Sequence, residues 1–227
     1  MDISEAITAR RSIRAFEKRV PPQETIAACL EAATWAPSAC NQQPWEFVVL
    51  TGGELEKVTA VIRETFAESM GDGDPFGSPP APCAARLQAV MTTLMRIAAD
   101  EGCDAGDFFE RSLRFFDAPV GVYFVTYRRP DSQYLLSTAA ALQNFLLAAA
   151  ASGLGTCWLG VTVISREALK RHLGIADDRE LVGGVALGYP DRTSVFNTFA
   201  RSRVPAAGLT RWLGFSRAGQ TGAPGGT

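Results

Sequence analysis

Residues 9–16 read ARRSIRAF, and residues 36–45 read APSACNQQPW. The first segment places three arginines and a serine within five residues, and guanidinium and hydroxyl groups are donors that suit a phosphate. The second segment sets small and amide side chains between prolines, which favours a rigid loop that a bound molecule can approach closely. Taken alone, the first segment is also typical of a solvated basic turn, and the second is also typical of an ordinary loop after a helix.

A second basic cluster lies near the other end of the chain. Residues 201–205 read RSRVP, and they fall in a stretch from Arg192 to Arg217 that holds five arginines and no acidic residue. Arginine is the preferred partner of phosphate oxygens. We expect the two clusters to hold one dianion if the fold brings them together.

Composition narrows the class of protein. The 227 residues are 47% hydrophobic and 20% charged, which is ordinary for a globular protein. A net charge of -2 excludes a global field that attracts nucleic acid or an anionic membrane. Five cysteines without a Cys-x-x-Cys pair and a single histidine, His172, argue against a zinc site and a disulfide framework. The start of the chain lacks an apolar targeting core, and the longest apolar stretch, 138–151, is too short for a bilayer. These features predict a cytoplasmic protein with no metal, nucleic acid or membrane partner.

The order of predicted elements favours an α+β sandwich, because helices and strands alternate irregularly. We expect one domain over residues 1–217 and a disordered Gly/Ala/Thr tail at 218–227. The first helix opens at Asp2, with Glu5 completing a capping box. Further helices are predicted at 22–36, 54–70, 84–99, 105–116, 131–152 and 165–173, with a Gly/Pro-rich break at 71–82 and strands at 47–50, 120–127, 157–161 and 181–187.

Two more features suit a bound ligand. Residues 153–160 read GLGTCWLG, and such glycines either let the backbone approach a ligand or merely close a tight turn. Gln143 lies in an otherwise apolar helix. A buried amide needs a hydrogen-bond partner, which is either a ligand or a backbone carbonyl.

The three segments together resemble the flavin-binding signature of the nitroreductase family. Residues 37–45 match the family pattern of a Pro-Ser pair, two variable residues, Asn, a variable residue and Gln-Pro-Trp. The resemblance covers residues 3–205, with its motifs in the family order. It implies a three-layer sandwich with a central, mostly antiparallel sheet, and an intertwined homodimer with two FMN sites at its interface.

The resemblance also implies roles for individual residues. It assigns no catalytic side chain. The FMN phosphate is expected to contact Arg10, Ser12, Arg14, Arg201 and Arg203, with Arg11 contributing its backbone; the flavin is expected to contact Gln143, Leu159 and Gly160, and, across the dimer interface, Pro37, Ser38, Ala39 and Asn41. Four aromatic residues are expected either to line the substrate pocket or to form core, namely Phe108, Phe109, Phe115 and Phe116.

The implied activity is hydride transfer from NADH or NADPH through FMN to a small electron-poor acceptor, such as a nitroaromatic or a quinone, with ping-pong kinetics. Three alternatives stay open. A specialised family member oxidises a peptide azoline, removes halogen from an aromatic or fragments its flavin, a choice that residues 71–116 decide. The second alternative is a flavin-binding sensor or storage protein without turnover. The third is a phosphate- or nucleotide-binding module without flavin.

Overall fold

A four-stranded antiparallel sheet forms the centre of the molecule. The computed structural model describes residues 1–69 and 78–214. The sheet has the order β1-β2-β4-β3, and every neighbouring pair of strands is antiparallel. The strands are β1 (Trp45–Thr51), β2 (Val120–Tyr127), β3 (Gly155–Leu159) and β4 (Arg179–Gly188).

Helices cover both faces of the sheet. Alternate residues of β2 point to opposite faces, so Val122 and Phe124 lie in one core, and Tyr123 and Val125 lie in the other. This arrangement confirms the expected three-layer α+β sandwich. Within the described residues the helices are α1 (Ile3–Ala9), α2 (Gln23–Thr34), α3 (Gly52–Ser69), α4 (Ala81–Asp100), α5 (Ala105–Leu113), α6 (Gln133–Ala151), α7 (Arg166–His172) and α8 (Val195–Thr198).

The longest apolar helix, α6, lies in the core beside α2. By length and composition alone this helix is long and apolar enough to cross a membrane, because it extends beyond the apolar stretch at residues 138–151. Its side chains Leu142 and Phe145 are fully buried against the sheet. A core helix that is apolar on several sides gives the same signal as a membrane span, and the packing shows that α6 is a core helix.

Several predicted boundaries are wrong. The helix predicted at 105–116 ends at Leu113, because Phe115, Phe116 and Asp117 adopt left-handed conformations with φ of 56°, 54° and 59°. The strand predicted at 157–161 is β3, which lies two residues earlier, and Gly160 opens a 3-10 turn. Helix α8 was not predicted. Three predictions fall at least partly outside the described residues. They concern the end of the helix at residue 70, residues 71–77 of the Gly/Pro-rich break, and the tail at 218–227.

Helix α1 begins as predicted, and a contact with β3 fixes the segment that follows it. The capping box at the start of α1 is confirmed, since Asp2 Oδ1 accepts from the Glu5 backbone N–H at 2.8 Å and Glu5 Oε2 accepts from that of Asp2 at 3.0 Å. Beyond α1 the chain is extended, and Ile13 N donates to Thr156 O at 2.9 Å. This contact fixes the arginine-bearing residues 10–14 along the edge of the sheet.

Candidate functional site

The two arginine clusters meet in the folded chain. Arg201 donates from Nη1 to the carbonyl oxygen of Arg10, and from Nη2 to that of Thr8 at 2.8 Å. Burial lowers the pKa of Arg10, and the positive charges of Arg203 and Arg201 lower it further. Groups that are nearly 200 residues apart in sequence therefore share one basic surface.

Arg11 ties the N-terminal cluster to the chain just before the C-terminal one. Its Nη2 donates to Phe199 O at 2.5 Å, and its guanidinium carbon lies 5.2 Å from the centroid of the Phe199 ring. Its Nε is buried and has no hydrogen-bond partner among the described residues. Burial, Arg201 and Arg14 all lower the pKa of Arg11. Arg11 thus contributes its side chain to the architecture of the site, beyond the backbone role that the resemblance implied.

The basic surface formed by the two arginine clusters alone has no acidic counterpart in the described part of the chain. There, no carboxylate oxygen lies within 4.0 Å of the charged nitrogens of its arginines. Like charges held together without a counter-charge repel one another, and a bound anion relieves that repulsion. The donor set therefore fits a phosphate dianion. Its members are Arg10, Arg11, Arg14, Arg201 and Arg203.

Asn197, on α8, holds the N-terminal segment in place. Its Oδ1 accepts from Arg14 N at 2.8 Å, and its Nδ2 donates to Ala15 O and to Asp191 O, each at 2.8 Å. The residue is only 5% exposed. Sequence reasoning missed this role because a single asparagine between Phe196 and Thr198 gives no distinguishing signal.

Arg111 and Arg114 extend the basic surface beyond Arg14, and sequence reasoning missed both. Arg111 Nη2 donates to Arg14 O at 3.1 Å. Asp117 Oδ2 lies 3.9 Å from Arg111 Nε and 3.7 Å from Arg114 Nη2. Within residues 1–69 and 78–214, the buried Arg114 Nε has no hydrogen-bond partner. The pair stands at the end of α5, directly before the left-handed turn that carries Asp117. A basic pair at a helix end was the signal available in the sequence.

The left-handed turn is a source of local strain. For residues other than glycine this conformation costs about 1–2 kcal/mol each. Phe115 is fully buried and contacts the Tyr123 ring edge-on at 5.9 Å. Core packing therefore overrides the preference for continuing the helix and places Asp117 beneath the two arginines.

Ser12 and Cys157 lie at the base of the arginine cluster. Burial raises the pKa of the Cys157 thiol, although Arg14, a hydrogen bond with Ser12 and Arg10 each act to lower it. The thiol is therefore neutral at ordinary pH. Cys157 serves here as a small packed residue under the site.

The loop at residues 37–43 lies elsewhere on the chain. Cys40, Asn41 and Gln43 all have positive φ, at 49°, 56° and 46°, and Gln43 N donates to Ser38 Oγ at 3.0 Å. Pro37 and Asn41 are exposed, whereas Ser38 and Ala39 are partly buried. Among residues 1–69 and 78–214, no hydrogen bond joins this loop to the arginine cluster. One chain alone therefore does not bring the two groups together.

The backbone at Leu159 and Gly160 is held rigidly. Thr162 Oγ1 donates to Leu159 O at 2.8 Å and accepts from Gly184 N at 3.1 Å. Leu159 is buried, and Gly160 is exposed. The exposed glycine leaves its backbone accessible to a ligand, and it also opens the 3-10 turn at Gly160–Val163, so both alternatives for the motif stay open.

The expectation that Gln143 is buried is wrong for the single chain. The residue is exposed, because it projects from the side of α6 that faces away from the sheet and α2. Leu136, seven residues earlier on the same face, is 63% exposed. The amide therefore has solvent as its partner in an isolated subunit.

The aromatic residues near α5 are mostly core. Phe108, Phe115 and Phe116 are at most 5% exposed, and Phe108 stacks on Phe196 with 5.4 Å between ring centroids. Phe109 is partly buried and contacts Phe66 at 4.9 Å. In the single chain Phe108, on α5, and Phe115 and Phe116, in the turn that follows α5, are thus part of the core.

Comparisons with known proteins agree on one family. The family model described as "Nitroreductase family" matches residues 7–189. The chain is 33% identical to a chloronitrobenzene nitroreductase of Comamonas testosteroni, over 93% of this chain and 96% of that protein. It is 31% identical to a nitrobenzene nitroreductase of Ectopseudomonas oleovorans, again over 93% and 96%. The crystal structure of the FMN and NADPH-dependent nitroreductase NfnB from sphigopyxis sp. strain HMH superimposes with a TM-score of 0.84 and 26% identity, covering 95% of this chain and 100% of that one.

Proposed function

Because the chain belongs to the nitroreductase family, we propose that it is an FMN-dependent oxidoreductase that uses NADH or NADPH to reduce nitroaromatic compounds. One observation carries the cofactor assignment. Arginines from both ends of the chain converge, and no carboxylate oxygen of the described residues lies within 4.0 Å of their charged nitrogens. Two relatives named for chloronitrobenzene and nitrobenzene reduction support the acceptor class. Quinones are electron-poor in the same way and are the second acceptor to test.

The chain's own residues would bind and orient the cofactor. The FMN phosphate would lie among Arg10, Arg201 and Arg203, with the Ser12 hydroxyl as a further donor. Arg14 belongs to the same donor set, and Arg111 and Arg114 continue the positive surface beyond it. Fixed positive groups of this kind stabilise negative charge that develops in a water-poor site.

When bound, FMN would supply the redox chemistry, accepting a hydride from NADH or NADPH and passing it to the acceptor. The protein contributes the binding groups and the exposed backbone at Gly160. Because donor and acceptor would occupy the same pocket in turn, we expect ping-pong kinetics. We place this activity in the cytoplasm, where both nicotinamide donors are available.

We propose that the site is completed by a second copy of the chain. The loop at residues 37–43 would reach the flavin of the other subunit, since it makes no hydrogen bond to the cluster within one chain. Large apolar side chains are exposed in the single chain, including Trp35 at 81%, Leu209 at 71% and Leu136 at 63%. Such exposure is typical of a protein interface. Gln143 shares the α6 face of Leu136 and would become buried there.

The test starts from purified protein and its visible spectrum. We expect a yellow protein that releases FMN on denaturation and loses its flavin absorbance within seconds of anaerobic mixing with NADPH or NADH. Subsequent addition of nitrobenzene or a quinone should restore the absorbance. A colourless protein that binds no added FMN would contradict the proposal. Bound FMN that neither donor reduces would instead support a flavin-binding protein without turnover.

A further inference from the structure

A side chain from the start of α6 contacts the loop at residues 37–43 near its C-terminal end. The Tyr134 hydroxyl donates to Gln42 Oε1. Gln42 occupies a variable position of the sequence motif, and Tyr134 lies outside all of its segments. The contact therefore links the loop to a part of the fold that the motif does not include.

The Tyr134 side chain is itself held by charged neighbours. The Arg129 guanidinium lies 4.7 Å from the centroid of its ring, and Arg129 Nη2 is 3.0 Å from Asp131 Oδ2. Asp131 Oδ1 accepts from Gln133 N at 3.0 Å, at the start of α6. Hydrogen bonds with Tyr134 and Asp131 raise the pKa of Arg129, so this partner stays charged. The Tyr134 hydroxyl is thus fixed in position and donates in a defined direction.

The strand that follows the loop is held by a second contact close to Tyr134. Glu46, on β1 just after the loop, accepts from Arg179 Nε at 2.8 Å. Arg179 in turn lies 3.4 Å from the centroid of the Tyr127 ring, which contacts the Tyr134 ring edge-on at 6.4 Å. Tyr134 and Arg179 therefore restrain the last residues of the loop and the start of the strand that follows it.

The loop needs such restraint because of its backbone conformation. Cys40, Asn41 and Gln43 have positive φ without being glycine, and Cys40, Asn41, Gln42 and Gln43 are all exposed. A loop released from its anchors would relax toward negative φ, which is preferred by residues with a Cβ. That change would turn the Asn41 side chain to a new direction.

We propose that Tyr134 is a positioning residue that acts through Gln42 to present Ser38, Ala39 and Asn41 to the flavin of the partner subunit. The inference rests on the proposed function, in which this loop contacts FMN across the dimer interface. Tyr134 itself touches no cofactor. Its effect on FMN binding depends on the Gln42 contact.

The experiment is a double-mutant cycle on the full-length protein. The variants Tyr134→Phe, Gln42→Ala and the double variant are stripped of cofactor, and their FMN dissociation constants are measured by quenching of flavin fluorescence. Each single variant should bind FMN about 3- to 10-fold more weakly, as expected for one hydrogen bond. The double variant should bind no more weakly than either single variant, because both changes remove the same contact.

A matched control removes a hydroxyl that has no such role. Tyr189 also lies under an arginine, with Arg19 3.6 Å from its ring centroid, and Tyr189→Phe should leave FMN affinity unchanged. Thermal unfolding and oligomeric state of each variant separate positioning from general damage. If Tyr134→Phe fails to fold, Gln42→Ala still tests the contact from the exposed loop, and FMN binding equal to that of the wild type would overturn the inference.

The outcomes distinguish this inference from the proposed function. Wild-type protein that binds no FMN overturns the proposed function and this inference with it. Wild-type protein that binds FMN, with Tyr134→Phe binding equally well, overturns the inference alone. Effects of the two single variants that multiply in the double variant also overturn it, because they would show that Tyr134 does not act through Gln42.

Discussion

At the scale of single residues, substitution of Arg203 tests cofactor binding with little effect on stability. Within the described chain its side chain makes one hydrogen bond, from Nη1 to Ser202 O at 2.8 Å, so its removal disturbs little packing. We predict that Arg203→Ala weakens FMN binding about 10- to 100-fold, the loss expected for charge-assisted bonds to a phosphate. Fluorescence titration of the apoprotein measures this loss. Arg96→Ala, on the exposed side of α4, is the matched control and should have no effect; equal affinities for both variants would contradict the phosphate role.

The buried thiol of Cys157 makes the stability of the protein depend on pH. Burial raises the pKa of this thiol, so the folded protein holds the proton more tightly than the unfolded chain. Unfolding therefore releases a proton above the ordinary thiol pKa, and the contribution to stability falls as pH rises through that range. We predict that the free energy of unfolding in urea falls from neutral to alkaline pH, and that it falls less steeply in Cys157→Ser. Identical pH dependence in both proteins would show that the thiol does not contribute.

At the scale of elements, the packing of β3 against the N-terminal segment decides where the arginines lie. A Cβ atom at Gly155 would stand 2.7 Å from Ile13 Cγ1, closer than packed side chains tolerate. We predict that Gly155→Ala lowers the free energy of unfolding by about 1–3 kcal/mol and also weakens FMN binding, because it displaces residues 10–14. Urea unfolding and FMN titration report the two effects.

The control for this change is another glycine in open surroundings. Gly53 lies in the first turn of α3, and a Cβ there would meet no atom within 4 Å. Gly53→Ala should leave both stability and FMN affinity close to those of the wild type, since alanine also favours a helix. A loss of stability as large as that of Gly155→Ala would mean that steric contact with Ile13 is not the cause.

At the scale of the whole molecule, the C-terminal arm points to assembly. All of residues 201–214 are exposed in the single chain, and Leu209 and Leu213 are 71% and 69% exposed. We predict that the wild type is a dimer by light scattering, and that Leu209→Asp with Leu213→Asp shifts it toward monomer and lowers FMN affinity. The change places two charges in an apolar interface, which is costly unless they are paired.

The control for this prediction is a charge on a different exposed apolar site. Leu87, on α4, is 51% exposed, and Leu87→Asp should leave the oligomeric state unchanged. A wild-type protein that is monomeric at micromolar concentration would contradict the dimer, and so would a double variant that remains dimeric with full FMN affinity.

The sequence by itself determined the features that depend on neighbouring residues. The capping box of Asp2 and Glu5 and the bounds of β2 can both be predicted from the sequence, because helix caps and strand composition depend on residues that are close in sequence. The same holds for the motif segments, whose residue types suit a phosphate and a close backbone approach wherever they lie. The order of these elements was enough to predict an α+β sandwich, and the resemblance to the nitroreductase family added its three layers.

Only the tertiary structure decided how distant parts meet. The contact of Arg201 with the backbone at Arg10, the anchoring of Arg14 by Asn197 and the left-handed turn at Phe115 all arise from packing between remote segments. Local preference favours a helix through Phe115, but burial of that ring against Tyr123 outweighs it. Gln143 shows the same limit, because its exposure depends on which face of α6 the sheet and α2 cover. Long-range packing sets these features, since the chain must be folded before such groups become neighbours.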